Sequence, residues 1–98
     1  MNAVAARGPT LIRDLEIVNK RGLHARASAR FVQLVGAYQA QVTVSKDGIV
    51  VGGTSIMGLM MLAASPGCCI RVEASGPQAE ELLAELERMV ADRFGEAD

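Results

Sequence analysis

Three stretches of this sequence alternate apolar and polar side chains residue by residue, and that period of two restricts the fold more than any other feature. Within Leu11 to Val18, Leu15 and Ile17 share one face, while Asp14 and Glu16 take the other. Ala40 to Ser45 turns Val42 and Val44 inward. Cys68 to Ala74 turns Cys68, Ile70, Val72 and Ala74 inward, with Arg71 and Glu73 opposite. Such strands bury one side only, so the economical packing is one sheet covered by helices on a single face. Lys46-Asp47-Gly48 reads as a hairpin turn that returns the chain through Ile49 to Val51, a strand that fades at Gly52-Gly53.

Helical spacing fills the gaps between these strands. About Ala25 to Ala37, Phe31, Val32 and Val35 form an apolar stripe flanked by Ala27 and Leu34, opposite Arg26, Arg30 and Gln33, and Gly36 marks the end. After Ser75-Gly76-Pro77, the residues Ala79, Leu82, Leu83, Leu86, Met89 and Val90 form a second stripe, with Glu80 and Glu81 suited to the helix N-terminus. Thr54 and Ser55 can each cap a short helix, Ile56 to Ala63, that is apolar nearly all round. Two turns of helix cannot bury every side: Leu59 and Leu62 belong to the core, while Ile56, Met57 and Met60 are either absorbed there as well or stay partly exposed. Methionine adapts to several partner shapes. The predicted order is strand, helix, strand, strand, helix, strand, helix, an α+β arrangement. Met1 to Thr10 has no periodicity and reads as a flexible tail, which leaves residues 11–94 as one domain. With only three aromatics, Phe31, Tyr38 and Phe94, its core should be mostly aliphatic and methionine.

The only histidine, His24, falls where the loop Asn19 to Leu23 becomes the first helix. The first N–H groups of a helix lack intrahelical acceptors and, with the macrodipole, favour an anion. That end disfavours an imidazolium, and the neutral ring is the nucleophilic form. Arg26 and Arg21 add positive charge for the same anion. The pattern suits a histidine that accepts a phosphoryl group and gives it away; it also suits a plain capping histidine. A metal site is poorly supported, with no second histidine and no Cys-x-x-Cys spacing. Gly52-Gly53 before a helix lacks the lysine and spacing of a P-loop.

Charge is divided unevenly along the chain. Residues 1–46 sum to +5 and residues 47–98 to −6, within a net charge of −1. The positive half carries His24 and could steer an acidic or phosphorylated protein partner. Nucleic acid is disfavoured by the acidic overall balance and the absence of a basic-aromatic run. No apolar run is long enough to cross a bilayer, and the first ten residues lack a signal peptide's hydrophobic region. Cys68 and Cys69 are adjacent and would face opposite sides of a strand, so two reduced thiols in a cytoplasmic protein are expected, without a bond between them.

Gly22-Leu23-His24-Ala25-Arg26 resembles the active-site motif of the HPr family, the histidine-containing phosphocarriers of bacterial phosphotransferase systems. Ser55-Ile56-Met57-Gly58-Leu59-Met60-Met61-Leu62 is similar to the family's regulatory-serine segment, and the likeness runs from about Leu11 to Val90. The family usually has proline and then alanine after the arginine, where this chain has Ala27 and Ser28. The chain thus lacks proline's restraint on φ but keeps a good helix former.

The resemblance implies an open-faced β-sandwich, βαββαβα, with a four-stranded antiparallel sheet in order 1-4-2-3 under three helices. It implies a monomer that is a stoichiometric phosphocarrier rather than an enzyme and needs no cofactor or metal. His24 would take a phosphoryl group on Nδ1 from enzyme I, charged by phosphoenolpyruvate, and pass it to an EIIA-type protein. Arg26 and the amides of Ala25, Arg26 and Ala27 would hold the phosphate. Ser55 would be the target of an HPr kinase, and Arg21, Arg30, Ile56, Met57 and Met60 would meet partners. The segment Gly52 to Pro66 is similar to nitrogen-related HPr proteins, which points to the regulatory rather than the sugar-uptake branch. The competing reading is a small ligand- or RNA-binding α/β module in which His24 is a structural cap. It would require an aromatic-rich open sheet face.

Overall fold

The computed structural model describes residues 9–96, so most of the expected N-terminal tail lies outside the described residues. The strands are β1 (Leu11–Glu16), β2 (Gln41–Lys46), β3 (Ile49–Gly52) and β4 (Cys69–Ser75). The helices are α1 (Ala25–Gly36), α2 (Ile56–Met61) and α3 (Ala79–Ala91), followed by a 3-10 turn at Arg93–Gly95. One antiparallel sheet, ordered β1-β4-β2-β3, results. This is the single α+β sheet covered on one face that the alternating strands predict, in the open-faced order that the family resemblance implies.

Val42, Val44, Ile70, Val72 and Ala74 line the covered face of the sheet, and Phe31, Leu59, Leu82, Leu83 and Leu86 reach them from the helices. The open face carries Ile12, Asp14, Glu16, Thr43, Cys69 and Arg71, all exposed. The β1–β4 register sets Asp14 opposite Arg71, and two guanidinium contacts, 3.0 and 3.4 Å, follow. That hydrogen bond and charge hold the Asp14 carboxyl below its usual value. Both groups are about half exposed, so the pair adds little to stability.

Several expectations need correction. β1 stops at Glu16 rather than Val18, although Ile17 still exchanges 2.8 Å backbone bonds with Cys68 and Gly67. Cys68 is half-buried in the turn before β4, not on its inner face, because its N–H closes back onto Ser65 O at 2.9 Å. α2 ends at Met61, two residues short of Ala63, which takes a left-handed φ of 53° that no helix continues. Thr54 does not cap it; Ser55 does, its Oγ accepting the Gly58 N–H at 2.9 Å.

The core is mostly aliphatic, as expected, with Phe31 and Phe94 both fully buried, but no methionine among the described residues belongs to it. The reason is geometric. α2 is so short that only Leu59 within it is buried, and Leu62 just beyond, leaving Ile56, Met57, Met60 and Met61 outside. Met57 and Met61 are the most exposed, at 71% and 67%.

Candidate functional site

His24 stands at the N-cap of α1 with extended backbone, and its Nδ1 accepts the N–H of Arg26 at 3.2 Å. Its carbonyl accepts the Ser28 N–H at 2.9 Å, as a helix's first turn requires. The ring is 18% exposed, open on one side rather than sealed in the core. His24 is therefore a structural cap and an accessible side chain at once; the two readings of the sequence do not exclude each other.

The loop before His24 is held from two sides. Leu23 donates its N–H to Ala64 O at 3.0 Å, and the buried Ser28 donates its Oγ proton to Leu23 O at 3.3 Å. Serine in place of the usual alanine thus ties the first turn of α1 back to the loop. Asn19, wholly buried, donates from Nδ2 to Gly22 O at 2.9 Å and to Glu96 Oε1 at 3.1 Å. Both neighbours are acceptors, so the amide must present its NH₂ to them.

Glu96 was not legible in the sequence. Its Oε2 meets His24 Nε2 in a short contact, and its side chain is only 11% exposed. Burial raises its carboxyl, but hydrogen bonds from His24 and Asn19 and the nearby charge of Arg21 outweigh that and hold it below the usual glutamate value. With a carboxylate on Nε2 and an amide donor on Nδ1, the neutral ring carries its proton on Nε2 and its lone pair on Nδ1.

The other expected site residues are placed as follows. The Arg26 guanidinium is exposed and makes no hydrogen bond or ion pair among the described residues. Ala25 is exposed at the helix start, whereas Ala27 is fully buried, so its amide is closed to an outside anion. Arg21 is exposed near Glu96. Arg30, expected to meet partners, donates from Nη1 to Phe94 O in a short contact that fastens the C-terminal turn to α1.

A nucleophilic nitrogen at a helix N-terminus, beside an unengaged arginine, is what a phosphoryl acceptor needs. The comparison with known proteins agrees: the family model described as "PTS HPr component phosphorylation site" matches residues 12–92. The chain belongs to the HPr family. It is 48% identical over 88 residues to phosphocarrier protein HPr of Cupriavidus necator, covering 90% of this chain and 99% of that protein. It is 36% identical over 88 residues to phosphocarrier protein NPr of Escherichia coli, covering 89% and 98%. Its fold is similar to HPr-C-His from Thermoanaerobacter tengcongensis, with a TM-score of 0.84 and 39% identity over 90% of this chain and 99% of that one.

HPr proteins are phosphocarriers of the phosphotransferase system. The open sheet face has no aromatic side chain: Phe31 and Phe94 are buried and Tyr38 is half-buried against the core. No RNA-stacking platform exists there. No helix among the described residues is long and apolar enough to cross a membrane.

Proposed function

We propose that His24 carries the phosphoryl group on Nδ1. The observation that supports this most directly is the Arg26 N–H pointing at Nδ1, with the Arg26 guanidinium uncommitted beside it. The Nδ1 lone pair attacks phosphorus on a phosphohistidine of enzyme I; the donor's N–P bond breaks, and its nitrogen leaves with the electron pair. Nε2 keeps its proton throughout. As Nδ1 becomes bonded to phosphorus, the Arg26 N–H is freed to donate to a phosphoryl oxygen, together with the Ala25 amide and the guanidinium. The buried Ala27 amide joins only if the first turn of α1 opens. An EIIA-type protein then takes the group by the reverse step. Incubation with enzyme I and labelled phosphoenolpyruvate should give acid-labile, base-stable label on the wild type and none on His24→Ala; label retained by His24→Ala would defeat the assignment.

Partners would dock on Arg21 and on Ile56, Met57 and Met60 of α2, which packs against α1. The likeness of the segment Gly52 to Pro66 to nitrogen-related HPr proteins is what supports the regulatory branch, in the cytoplasm, although overall identity is higher to HPr of Cupriavidus necator, 48%, than to NPr of Escherichia coli, 36%. Ser55 caps α2, and as a target of an HPr kinase it would place a phosphate where helix amides already point, beside the apolar patch. Purified kinase and ATP should label the wild type and leave Ser55→Ala unlabelled, and the substitution alone should cost about 1 kcal/mol through the lost cap. Equal labelling of both proteins rules Ser55 out.

A further inference from the structure

The geometry points to Glu96 as the positioning residue that decides which nitrogen of His24 is phosphorylated. The inference rests on the phosphocarrier reading of His24 and adds to it a residue that lies beyond the stretch matched by the family model, residues 12–92.

A neutral imidazole has one protonated nitrogen and one with a free lone pair, and which is which is set by their hydrogen-bond partners. The Glu96 carboxylate sets this from a fixed position. One oxygen takes the Nε2 proton, and the other takes the Nδ2 proton of the buried Asn19, so the group is held at two points. A histidine turned by a carboxylate on one nitrogen presents the other in a set direction, as in metal sites and acyl-transfer triads. Here that direction is toward the Arg26 amide.

The peptide that carries Glu96 is built to hold it there. Arg93, Phe94 and Gly95 take left-handed φ values of 58°, 55° and 76°, which fold the chain sharply back after α3. Gly95 and Glu96 donate N–H groups to Asp92 O and Arg93 O at 3.0 Å. Phe94 is buried to 1% exposure, and Arg30 grips its carbonyl. Two consecutive non-glycine residues in that region are uncommon and persist only where their surroundings enforce them. The result is a strap from the end of α3 to the start of α1 that ends in a carboxylate on the histidine.

During transfer the Nδ1–P bond forms and the donor's P–N bond breaks, leaving a ring with phosphorus on one nitrogen and a proton on the other. That ring is cationic, and the Glu96 carboxylate balances it. Without Glu96, Nε2 is uncovered and competes for phosphorus.

Potassium phosphoramidate, a small donor that needs no enzyme, tests this. The Nδ1 lone pair displaces ammonia, which leaves with the P–N electron pair, and ³¹P and ¹⁵N NMR distinguish the two phosphohistidine isomers. His24 is the only histidine of the chain, so the signals need no deconvolution. The wild type should give Nδ1-phosphohistidine as its sole initial product. Glu96→Ala should give the Nε2 isomer beside it, and Glu96→Gln, which keeps an acceptor oxygen on Nε2 without the charge, should keep the regiochemistry but react more slowly. An unchanged single Nδ1 product in Glu96→Ala, or an Nε2 product in the wild type, overturns the inference. A strap that only stabilised the fold would alter the unfolding temperature without altering the product. Failure of the wild type to take label from enzyme I, by contrast, would count against the carrier assignment alone.

Discussion

Gly22 takes a φ of 66°, and a methyl group there would lie 2.2 Å from the Ala64 carbonyl oxygen, the acceptor of the Leu23 N–H. Glycine is thus required twice at this position, for its left-handed backbone and for the close approach of a neighbouring loop. Gly22→Ala should lose about 2 kcal/mol or more in denaturant unfolding, from the left-handed penalty plus the displaced carbonyl. It should also slow phosphorylation, because Leu23 and His24 move with the loop. Glu96 gives a prediction in pH. Its carboxyl is held below the ordinary value in the folded protein, so its contribution to stability is present at neutral pH and is lost as pH falls through that lowered value. Thermal unfolding of the wild type and Glu96→Gln should differ at neutral pH and converge in acid. A gap that persists at low pH would show that the carboxylate's charge is not the source.

At the scale of elements, α1 and α3 follow ordinary amphipathic logic, and their expected apolar stripes are buried apart from the half-buried Val32, Leu34 and Met89. α2 departs from it, leaving four large apolar side chains in solvent, each at least 41% exposed. Exposed apolar patches of this kind mark interaction surfaces. Met57→Glu should therefore leave the unfolding free energy within about 0.5 kcal/mol of wild type, as for surface changes generally. It should slow phosphoryl transfer with enzyme I or the acceptor several-fold. A large loss of stability would mean that Met57 is packed in solution. The Arg93–Gly95 turn is the element with no sequence signal. It has no periodicity and no capping pattern, and its conformation depends on Phe94 finding the core and Arg30 finding the Phe94 carbonyl.

Across the whole molecule, the cationic half of the chain, +5 over residues 1–46, includes Arg21, Arg26 and Arg30, all close to His24 in the sequence. Steering by such a field weakens as the Debye length shrinks from about 30 Å at 0.01 M salt to about 3 Å at 1 M. The second-order rate of transfer from enzyme I should fall over that range while the stability of the free protein changes little; a salt-independent rate would remove charge from the account of partner choice. The single sheet with one buried face, the three helices and His24 at a helix start were legible in the sequence, because each depends on spacing within about a dozen residues; for α2 the spacing left burial and exposure open, and the family resemblance favoured exposure. What joins His24 to Glu96 spans 72 positions, and the burial of Asn19, Ser28 and Phe94 depends on how distant segments meet. Local periodicity determined which side chains face inward. Only the packed chain decided which ones touch, and so which nitrogen of the histidine is left free.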